Sequence, residues 1–212
     1  MHPRLRLPLL ALSLLAMSQT VCHAQQKAVT DTGEEIILYK NGTWSYVDAN
    51  KAPPPVEVNP TRFEKPESAS FLLKSSNIGM GVWLDPKQWK FKKGKPGDAA
   101  EYNLVNGELY GILITEQVPI PMESWPEIAL QNGREAAPDA RIVKQEKRSV
   151  NGLDVLHMRI DATVSGIAIS YFGYYYSGAE GSVQFLAYTG QNLLEQNIPA
   201  VESLLNGLVA LP

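Results

Sequence analysis

Three residues in the second half of the chain have the types that build a nucleophilic active site: Asp154, His157 and Ser165. In such a site the histidine takes a proton from the serine, and the carboxylate orients the histidine. Asp154 and His157 lie three positions apart on a predicted strand, so their side chains point to opposite faces. The sequence also lacks the G-x-S-x-G turn that exposes a nucleophilic serine. The pattern therefore does not favour a hydrolase.

The residue types do not indicate a metal or cofactor site either. His157 is the only histidine after the predicted leader, whereas a zinc site normally uses several histidine or cysteine ligands. No Asp-rich calcium loop or phosphate-binding loop occurs, and Gly79 and Gly81 lack the third glycine of a dinucleotide fingerprint. We therefore expect no metal, no cofactor and no catalytic residues. An enzyme that uses only carboxylates, such as a glycosidase, is an alternative that needs two carboxyl groups about 5–10 Å apart in one cleft.

Aromatic residues on one predicted strand form the most suggestive cluster. Aromatic side chains are enriched in protein interfaces, so a strip of them on a sheet can bind a partner. The alternative is that half of them face the core and half pack under a helix or the N-terminal module, since strands favour aromatic residues in any case. We expect the polar neighbours on the preceding strand to lie on a solvated or lightly covered face. The candidate partner surface comprises Tyr171, Tyr174, Tyr175, Tyr176, His157 and Arg159, with Phe172 and Asp161 beside them.

These residues belong to a predicted block of three antiparallel strands between Gly152 and Gly190. From Leu153 to Ala162 apolar and polar residues alternate, which is typical of a strand with one buried face. Ser165-Gly166 and the segment 177–181 supply glycine-containing turns. The buried face of the first strand is predicted to carry Leu156, Met158, Ile160 and Ala162.

Further elements surround this block from about residue 67 to 212. Strands are predicted over 70–74, 79–84 and 141–150, and Asn106-Gly107 indicates a hairpin between strands 100–105 and 109–117. A helix begins at Ser124 with a capping-box pattern and is predicted to end before Pro138. Residues spaced by three and four predict a final helix that covers the sheet, with Pro199 inside it or near its first turn. Its apolar stripe is Leu194, Ile198, Val201, Leu205 and Leu208.

This order of elements resembles the PsbP-like fold, which photosystem extrinsic proteins share with bacterial envelope proteins of the DcrB type. The resemblance rests on residues 79–82, on Asn151-Gly152, on residues 173–176 and on residues 204–208. It implies an α+β fold in which helices cover an antiparallel β-sheet as an α/β/α sandwich. It also implies a non-enzymatic binding or assembly role, and it supplies no functional residues.

The N-terminus has the pattern of a signal peptide over residues 1–24. A short positive region with Arg4 and Arg6 precedes an apolar run from Leu7 to Met17, which is too short to span a bilayer comfortably. Cleavage is expected after Ala24, which would leave a chain without cysteine. Lipid modification of Cys22 is an alternative, although Gln19 and Val21 depart from the lipoprotein pattern.

A small β module is predicted over residues 25–47, followed by a proline-rich linker over 48–66. Thr32-Gly33 and Asn41-Gly42 are turn dipeptides between three short strand-like runs. The module resembles a short motif found near the N-terminus of many exported bacterial proteins, and Trp44 and Tyr46 are its expected docking residues. The matching residues are Asp31, Gly33, Leu38, Asn41, Gly42, Thr43, Trp44 and Tyr46.

Charge and targeting together define the functional prediction. Loss of Arg4 and Arg6 with the leader would change the net charge from −3 to −5, which argues against a nucleic-acid partner. We expect a non-enzymatic periplasmic or secreted protein that binds another envelope protein through a sheet face or edge. No membrane insertion is expected once the signal peptide is removed. The alternative is a small-ligand carrier with a cleft between sheet and helices, lined by tyrosine and tryptophan.

Overall fold

A computed structural model describes residues 26–30, 33–48 and 52–212. The chain divides into two units, with the boundary between Ala49 and Asn50. The predicted signal peptide and its cleavage after Ala24 lie outside the described residues.

The first unit contains the predicted three-stranded meander. Its strands are β1 (Gln26–Val29), β2 (Glu35–Leu38) and β3 (Trp44–Tyr46), which pair antiparallel in chain order. Gly42 has a positive φ of 82°, which is why the Asn-Gly dipeptide suits the turn between β2 and β3. The meander prediction is confirmed.

The second unit is built on an eight-stranded sheet with the order β4-β10-β11-β12-β13-β9-β8-β7. Strand β4 runs parallel to β10, and the other neighbouring strands pair antiparallel. The strands of this sheet are β4 (Glu57–Phe63), β7 (Lys90–Lys93), β8 (Tyr102–Asn106), β9 (Leu109–Glu116), β10 (Arg141–Val150), β11 (Leu153–Val164), β12 (Ile167–Gly178) and β13 (Gly181–Gly190).

The three central strands, β11, β12 and β13, follow the sequence prediction. Asn151 and Gly152 join β10 to β11 with φ values of 48° and 83°, and Ser165 and Gly166 join β11 to β12 with 51° and 81°. Two successive positive φ values match the twist of a two-residue hairpin, so each dipeptide makes a tight turn between long strands.

Both faces of this sheet are covered, although by different elements. Helix α1 (Trp125–Ala136) packs on β10 and β11. Helix α2 (Leu194–Leu205) packs on β12 and β13, and an antiparallel sheet in the order β14-β6-β5 shares the apolar core on that side. The strands of this second sheet are β5 (Phe71–Lys74), β6 (Met80–Leu84) and β14 (Leu208–Ala210). The predicted α+β class is confirmed, and we call the two sides of the main sheet the α1 face and the α2 face.

The segment predicted as a linker contains a strand that the sequence analysis did not predict. β4 lies inside residues 48–66 and pairs with β10 at the edge of the main sheet. Its side chains are mostly exposed and Pro60 interrupts the pattern, so neither hydrophobic alternation nor composition indicates a strand. An edge strand tolerates proline because one side of its backbone needs no ladder hydrogen bond.

The final helix is shorter than predicted. α2 ends at Leu205, and Leu208 lies in β14, which pairs with β6. Gly207 allows the chain to pass close to β6 here, because a Cβ at this position would lie 2.2 Å from the backbone oxygen of Trp83. Pro199 lies within the helix. The predicted apolar stripe therefore begins in a helix and ends in a strand.

Helix α1 begins and ends where the sequence predicts, but its cap differs. Ser124 occupies the N-cap position and makes no side-chain cap hydrogen bond with any described residue. Trp125, Ala129 and Leu130 provide the buried side of the helix. Burial against the sheet, rather than the predicted capping box, therefore fixes this helix.

Candidate functional site

The α1 face carries a row of three tyrosines beyond the strands that α1 covers. Strand pairing places Tyr171 of β12 opposite Tyr188 of β13, and Tyr188 opposite Tyr110 of β9. Tyr110 in turn pairs with Val105 of β8, and Val105 pairs with Lys90 of β7. Because directly paired residues point to the same face, these five side chains form one line across the sheet.

The three tyrosines, which we call the tyrosine row, contact one another through their rings. The centroids of Tyr110 and Tyr188 are 5.3 Å apart with nearly parallel planes, and those of Tyr171 and Tyr188 are 5.1 Å apart. Tyr110 is 42% exposed, and the other two are half-buried. Burial raises the pKa of the Tyr171 and Tyr188 hydroxyls, so both stay neutral at physiological pH. The row is therefore an aromatic surface presented by three neighbouring strands.

An apolar second row and two lysines extend this surface. Leu186 of β13 and Ile112 of β9 are directly paired and half-buried on the same face. On the β7 side, Lys90 and Lys92 are exposed and border a hollow of about 320 Å³ next to Tyr110. The surface is therefore apolar at its centre and positively charged at its edge.

A cavity of about 170 Å³ lies at the other end of the tyrosine row, between α1 and the sheet. Ala129 and Gly133 of α1 form one wall, and Tyr171, Tyr175 and Gln184 contribute to the other. Small residues on the helix leave this space, because they fill less of the gap between the helix and the sheet. Tyr171 belongs both to the cavity and to the row, so the two features are continuous.

A wider, open groove of about 620 Å³ lies elsewhere on the second unit, beside Trp83 and Lys65. The ammonium group of Lys65 lies 5.0 Å from the centroid of the Trp83 ring, and Arg62, Glu64 and Glu67 also line the groove. Its charged groups are exposed to solvent, which screens their interactions. The structure therefore favours the α1 face as the candidate site.

The structure divides the predicted partner surface between the two faces of the sheet. Tyr171 and Tyr175 lie on the α1 face, and Tyr174 lies on the α2 face, because successive residues of a strand alternate. Tyr174 is fully buried and Tyr175 is 3% exposed, so neither can contact a partner. Tyr176 is half-buried against the core of the α2 face. Of the predicted tyrosines, only Tyr171 belongs to the tyrosine row, and Tyr175 contributes only to the wall of the adjoining cavity.

The expectation of a solvated face around His157 is wrong. His157 is 2% exposed and its Nδ1 lies 3.2 Å from the carbonyl oxygen of Gly173. Its ring makes an edge contact with Tyr174, with centroids 5.4 Å apart. Burial, aided by the positive charge of Arg148, lowers the pKa of His157 to about 3. The residue is therefore a neutral core histidine, covered by elements that the alternating pattern of β11 does not reveal.

Arg148 connects this histidine environment to α2 through a buried network. Its guanidinium donates to Glu146 at 2.5 Å, to Glu202 of α2 at 2.7 Å and to the Tyr174 hydroxyl at 2.9 Å. Tyr174 donates in turn to Asn206 at 2.7 Å. The network joins β10, β12 and the C-terminal end of α2, so we assign it a structural role.

Arg159 and Asp161 form a second, smaller polar cluster on the α2 face. Arg159 donates two hydrogen bonds to the Asp161 carboxylate, at 2.9 and 3.0 Å, and the Ser170 hydroxyl donates to the same carboxylate at 2.7 Å. Asp161 is buried, and Arg159 is half-buried above the Phe172 ring. Arg159 therefore neutralises a buried carboxylate, which differs from the predicted place in a partner surface.

The structure does not bring the possible nucleophilic residues together. Asp154 and His157 point to opposite faces of β11, and Ser165 lies in the exposed turn after that strand.

The buried Glu101 carboxylate accepts hydrogen bonds from Ser75, Ser76 and Thr115, which tie it to neighbouring backbone segments. Within the described ranges, no group of three histidine, cysteine, aspartate or glutamate side chains is placed to hold a metal ion.

Sequence reasoning missed Tyr110 and Tyr188, although a signal was present. Each tyrosine lies at one end of an alternating run. Tyr110 begins the run of Tyr110, Ile112 and Ile114 on β9, and Tyr188 completes the run of Gln184, Leu186 and Tyr188 on β13. The alternation identifies a common face within each strand. It does not show that β9 pairs with β13 or which end of each strand α1 leaves open, since both depend on the tertiary fold.

None of the family models and none of the curated proteins compared with the sequence matches it. Solved structures do match the fold. Cyanobacterial PsbP (CyanoP) from Synechocystis sp. aligns with a TM-score of 0.54 and 9% identity, over 66% of this chain and 91% of its own. PA94 from Pseudomonas aeruginosa, a protein of unknown function, aligns with a TM-score of 0.45 and 13% identity, over 67% and 97% of the two chains. LpqN of Mycobacterium tuberculosis, which is involved in cell envelope biogenesis, has a TM-score of 0.45 and 10% identity, over 63% and 83%.

These alignments concern the fold alone, since the sequence identities are low. In the part of the chain that the structure describes, no helix is long and apolar enough to cross a bilayer. The predicted resemblance is confirmed: the main domain of this chain has a PsbP-like fold.

Proposed function

We propose that this chain is a non-enzymatic module of the bacterial cell envelope that binds another envelope protein through the tyrosine row. The observation that carries the proposal is the stacking of Tyr110, Tyr188 and Tyr171 on an incompletely covered face of the main sheet. Aromatic side chains already fixed by a sheet lose little conformational entropy when they bind. The envelope location is supported by the predicted signal peptide.

The composition of the surface defines the chemistry of the partner. Leu186 and Ile112 extend the aromatic row, so the partner should present apolar side chains to its centre. Lys90 and Lys92 at the edge favour acidic side chains on the partner, because opposite charges at the rim of an interface steer association. The preferred partner is therefore a protein surface with an apolar centre and an acidic border.

Photo-cross-linking in the cell tests whether this surface binds a partner. The full chain is expressed in its native host with p-benzoylphenylalanine replacing Tyr110, and with the same residue replacing Tyr39 as the control. Tyr39 suits this purpose because it is 37% exposed and lies outside the tyrosine row. We expect one protein to be cross-linked at position 110 and not at position 39. Mass spectrometry would identify the cross-linked protein.

The identified partner then allows a quantitative test with purified proteins. Tyr188→Ala should weaken binding by about tenfold, because a buried interface aromatic commonly contributes more than 1 kcal/mol. Tyr39→Ala should leave the dissociation constant unchanged, and thermal melting would confirm that both variants fold. Equal cross-linking at positions 110 and 39, or unchanged affinity in Tyr188→Ala, would contradict the assigned surface.

A second candidate function is that of a small-ligand carrier. The specific observation in its favour is the cavity between α1 and the sheet, which has an apolar lining and adjoins the tyrosine row. Its lining includes two tyrosines, Tyr171 and Tyr175. Ligand binding at this end of the row is compatible with partner binding at the Tyr110 end.

A further inference from the structure

The cavity under α1 owes its shape to small residues at one side of the helix. Ala129, Gly133 and Ala136 are spaced by four and three, so they lie on one face, and all three line the cavity. A methyl group at Gly133 would only reach ordinary contact distance, 3.4 Å, from Ala140. Ala136 is exposed at the rim. The helix therefore leaves an opening from solvent into an apolar space.

Gln184 gives this space a polar group that has no hydrogen-bond partner among the described residues. Its side chain is nine-tenths buried and lines the cavity. Its amide makes no hydrogen bond with any residue in the ranges 26–30, 33–48 and 52–212. Its amide atoms are not among the fully buried side-chain atoms that lack a partner, so solvent in the cavity can reach them. A molecule that entered the cavity would displace this solvent, and it would keep the amide satisfied only by supplying both a donor and an acceptor.

The rest of the lining favours a neutral molecule. None of the described residues that line the cavity is charged. Burial raises the pKa of the Tyr171 and Tyr175 hydroxyls, so both remain neutral. An ionic group placed here would lose its hydration without gaining a partner of opposite charge. Ile160, Leu186 and Ala162 supply apolar contact area.

We propose that this cavity binds a small, neutral, mostly apolar molecule whose amide-like group pairs with the side chain of Gln184. The amide of Gln184 offers one donor group and one acceptor, which a carboxamide matches with two hydrogen bonds. This inference rests on the second candidate function, that of a ligand carrier, and is independent of the partner surface around Tyr110.

Octanamide is the probe for this site, with octanoate as its charged counterpart. The full chain, produced with its own leader and purified after export, is titrated with each compound. Binding is followed by ¹H–¹⁵N NMR at the side-chain amide of Gln184 and the backbone amide of Gly133. We expect octanamide to bind saturably with a dissociation constant of about 1 mM or tighter, and octanoate at least about tenfold more weakly.

Two variants with one matched control locate the binding. Ala136→Phe should close the rim and weaken octanamide binding by at least tenfold, whereas Gln131→Phe, at an exposed α1 position outside the cavity, should not. Gln184→Leu preserves the size of the side chain and should weaken binding by about five- to tenfold, as expected for loss of a hydrogen bond.

Two results of the titrations would contradict ligand binding in this cavity. Failure of octanamide to bind up to its solubility limit would overturn the inference. Saturable binding that is unchanged in Ala136→Phe would also overturn it, although the chain would then still carry ligands elsewhere. The cross-link at position 110 is measured separately, so failure here leaves the proposed partner surface untouched.

Discussion

Replacing Arg148 with methionine is expected to lower the free energy of unfolding by about 3 kcal/mol at neutral pH. The side chains of Arg148 and Glu146 are 6% and 5% exposed, so the substitution leaves a buried carboxylate without its closest cation. The same change removes the hydrogen bonds to Glu202 and Tyr174 that connect the sheet to α2. Lys144 still lies 3.1 Å from Glu146, which limits the loss. Urea unfolding followed by circular dichroism measures the change.

A double-mutant cycle separates the unpaired charge from lost packing. Glu146→Gln combined with Arg148→Met should be more stable than Arg148→Met alone by about 1 kcal/mol or more, because no carboxylate is then left unpaired. Lys147→Met provides the matched control, since Lys147 is an exposed cation on the same strand, and should change stability by less than about 0.5 kcal/mol. A loss below about 1 kcal/mol in Arg148→Met would show that the network does not hold α2 on the sheet.

The parts of this fold that could be predicted from sequence are those determined by neighbouring residues. Asn151-Gly152 and Ser165-Gly166 adopt the positive φ values that a two-residue hairpin needs, and the long strands around them follow from alternation. The start of α1 at Trp125 is equally local, since Pro126 suits only the first turn of a helix.

The parts that could not be predicted depend on which elements meet in space. β4 becomes a strand through its pairing with β10, and Leu208 joins β14 because β6 lies beside it. His157 has polar neighbours in sequence, yet α2 and the sheet β14-β6-β5 cover the face on which it lies. Local alternation identifies that face, but the cover on it comes from residues far away in the chain.

The candidate site shows the same limit. Tyr171 was predicted as a surface residue from its own strand, whereas Tyr110 and Tyr188 enter the site only through the order β12-β13-β9. A search of the sequence for aromatic clusters finds consecutive tyrosines. Their side chains alternate between the two faces of the sheet, so they do not form one surface. Residues that form one surface on a sheet are spread over several strands, and pairing information is needed to assemble them.

Burial of His157 leads to the second large effect, a loss of stability in mild acid. We expect the free energy of unfolding to fall by about 2 kcal/mol between pH 7 and pH 5. The pKa of His157 is lowered from 6.5 to about 3 in the folded state, so only the unfolded chain takes up a proton in this range. The stability that neutral His157 contributes is therefore present above its ordinary pKa of 6.5, and it is lost as the pH falls towards 3.

His157→Gln separates this effect from the titration of carboxyl groups. Glutamine keeps a hydrogen-bond donor for the Gly173 carbonyl and does not titrate, so the variant should lose most of the slope between pH 7 and pH 5. The lowered pKa values of Glu101 and Glu146 contribute mainly below their ordinary value of 4.5, where both proteins should lose stability in parallel. Denaturant titrations at half-unit pH steps measure both ranges. The only other histidines, His2 and His23, lie in the predicted leader. A wild-type slope that persists in His157→Gln would therefore show that a group other than His157 accounts for the proton uptake.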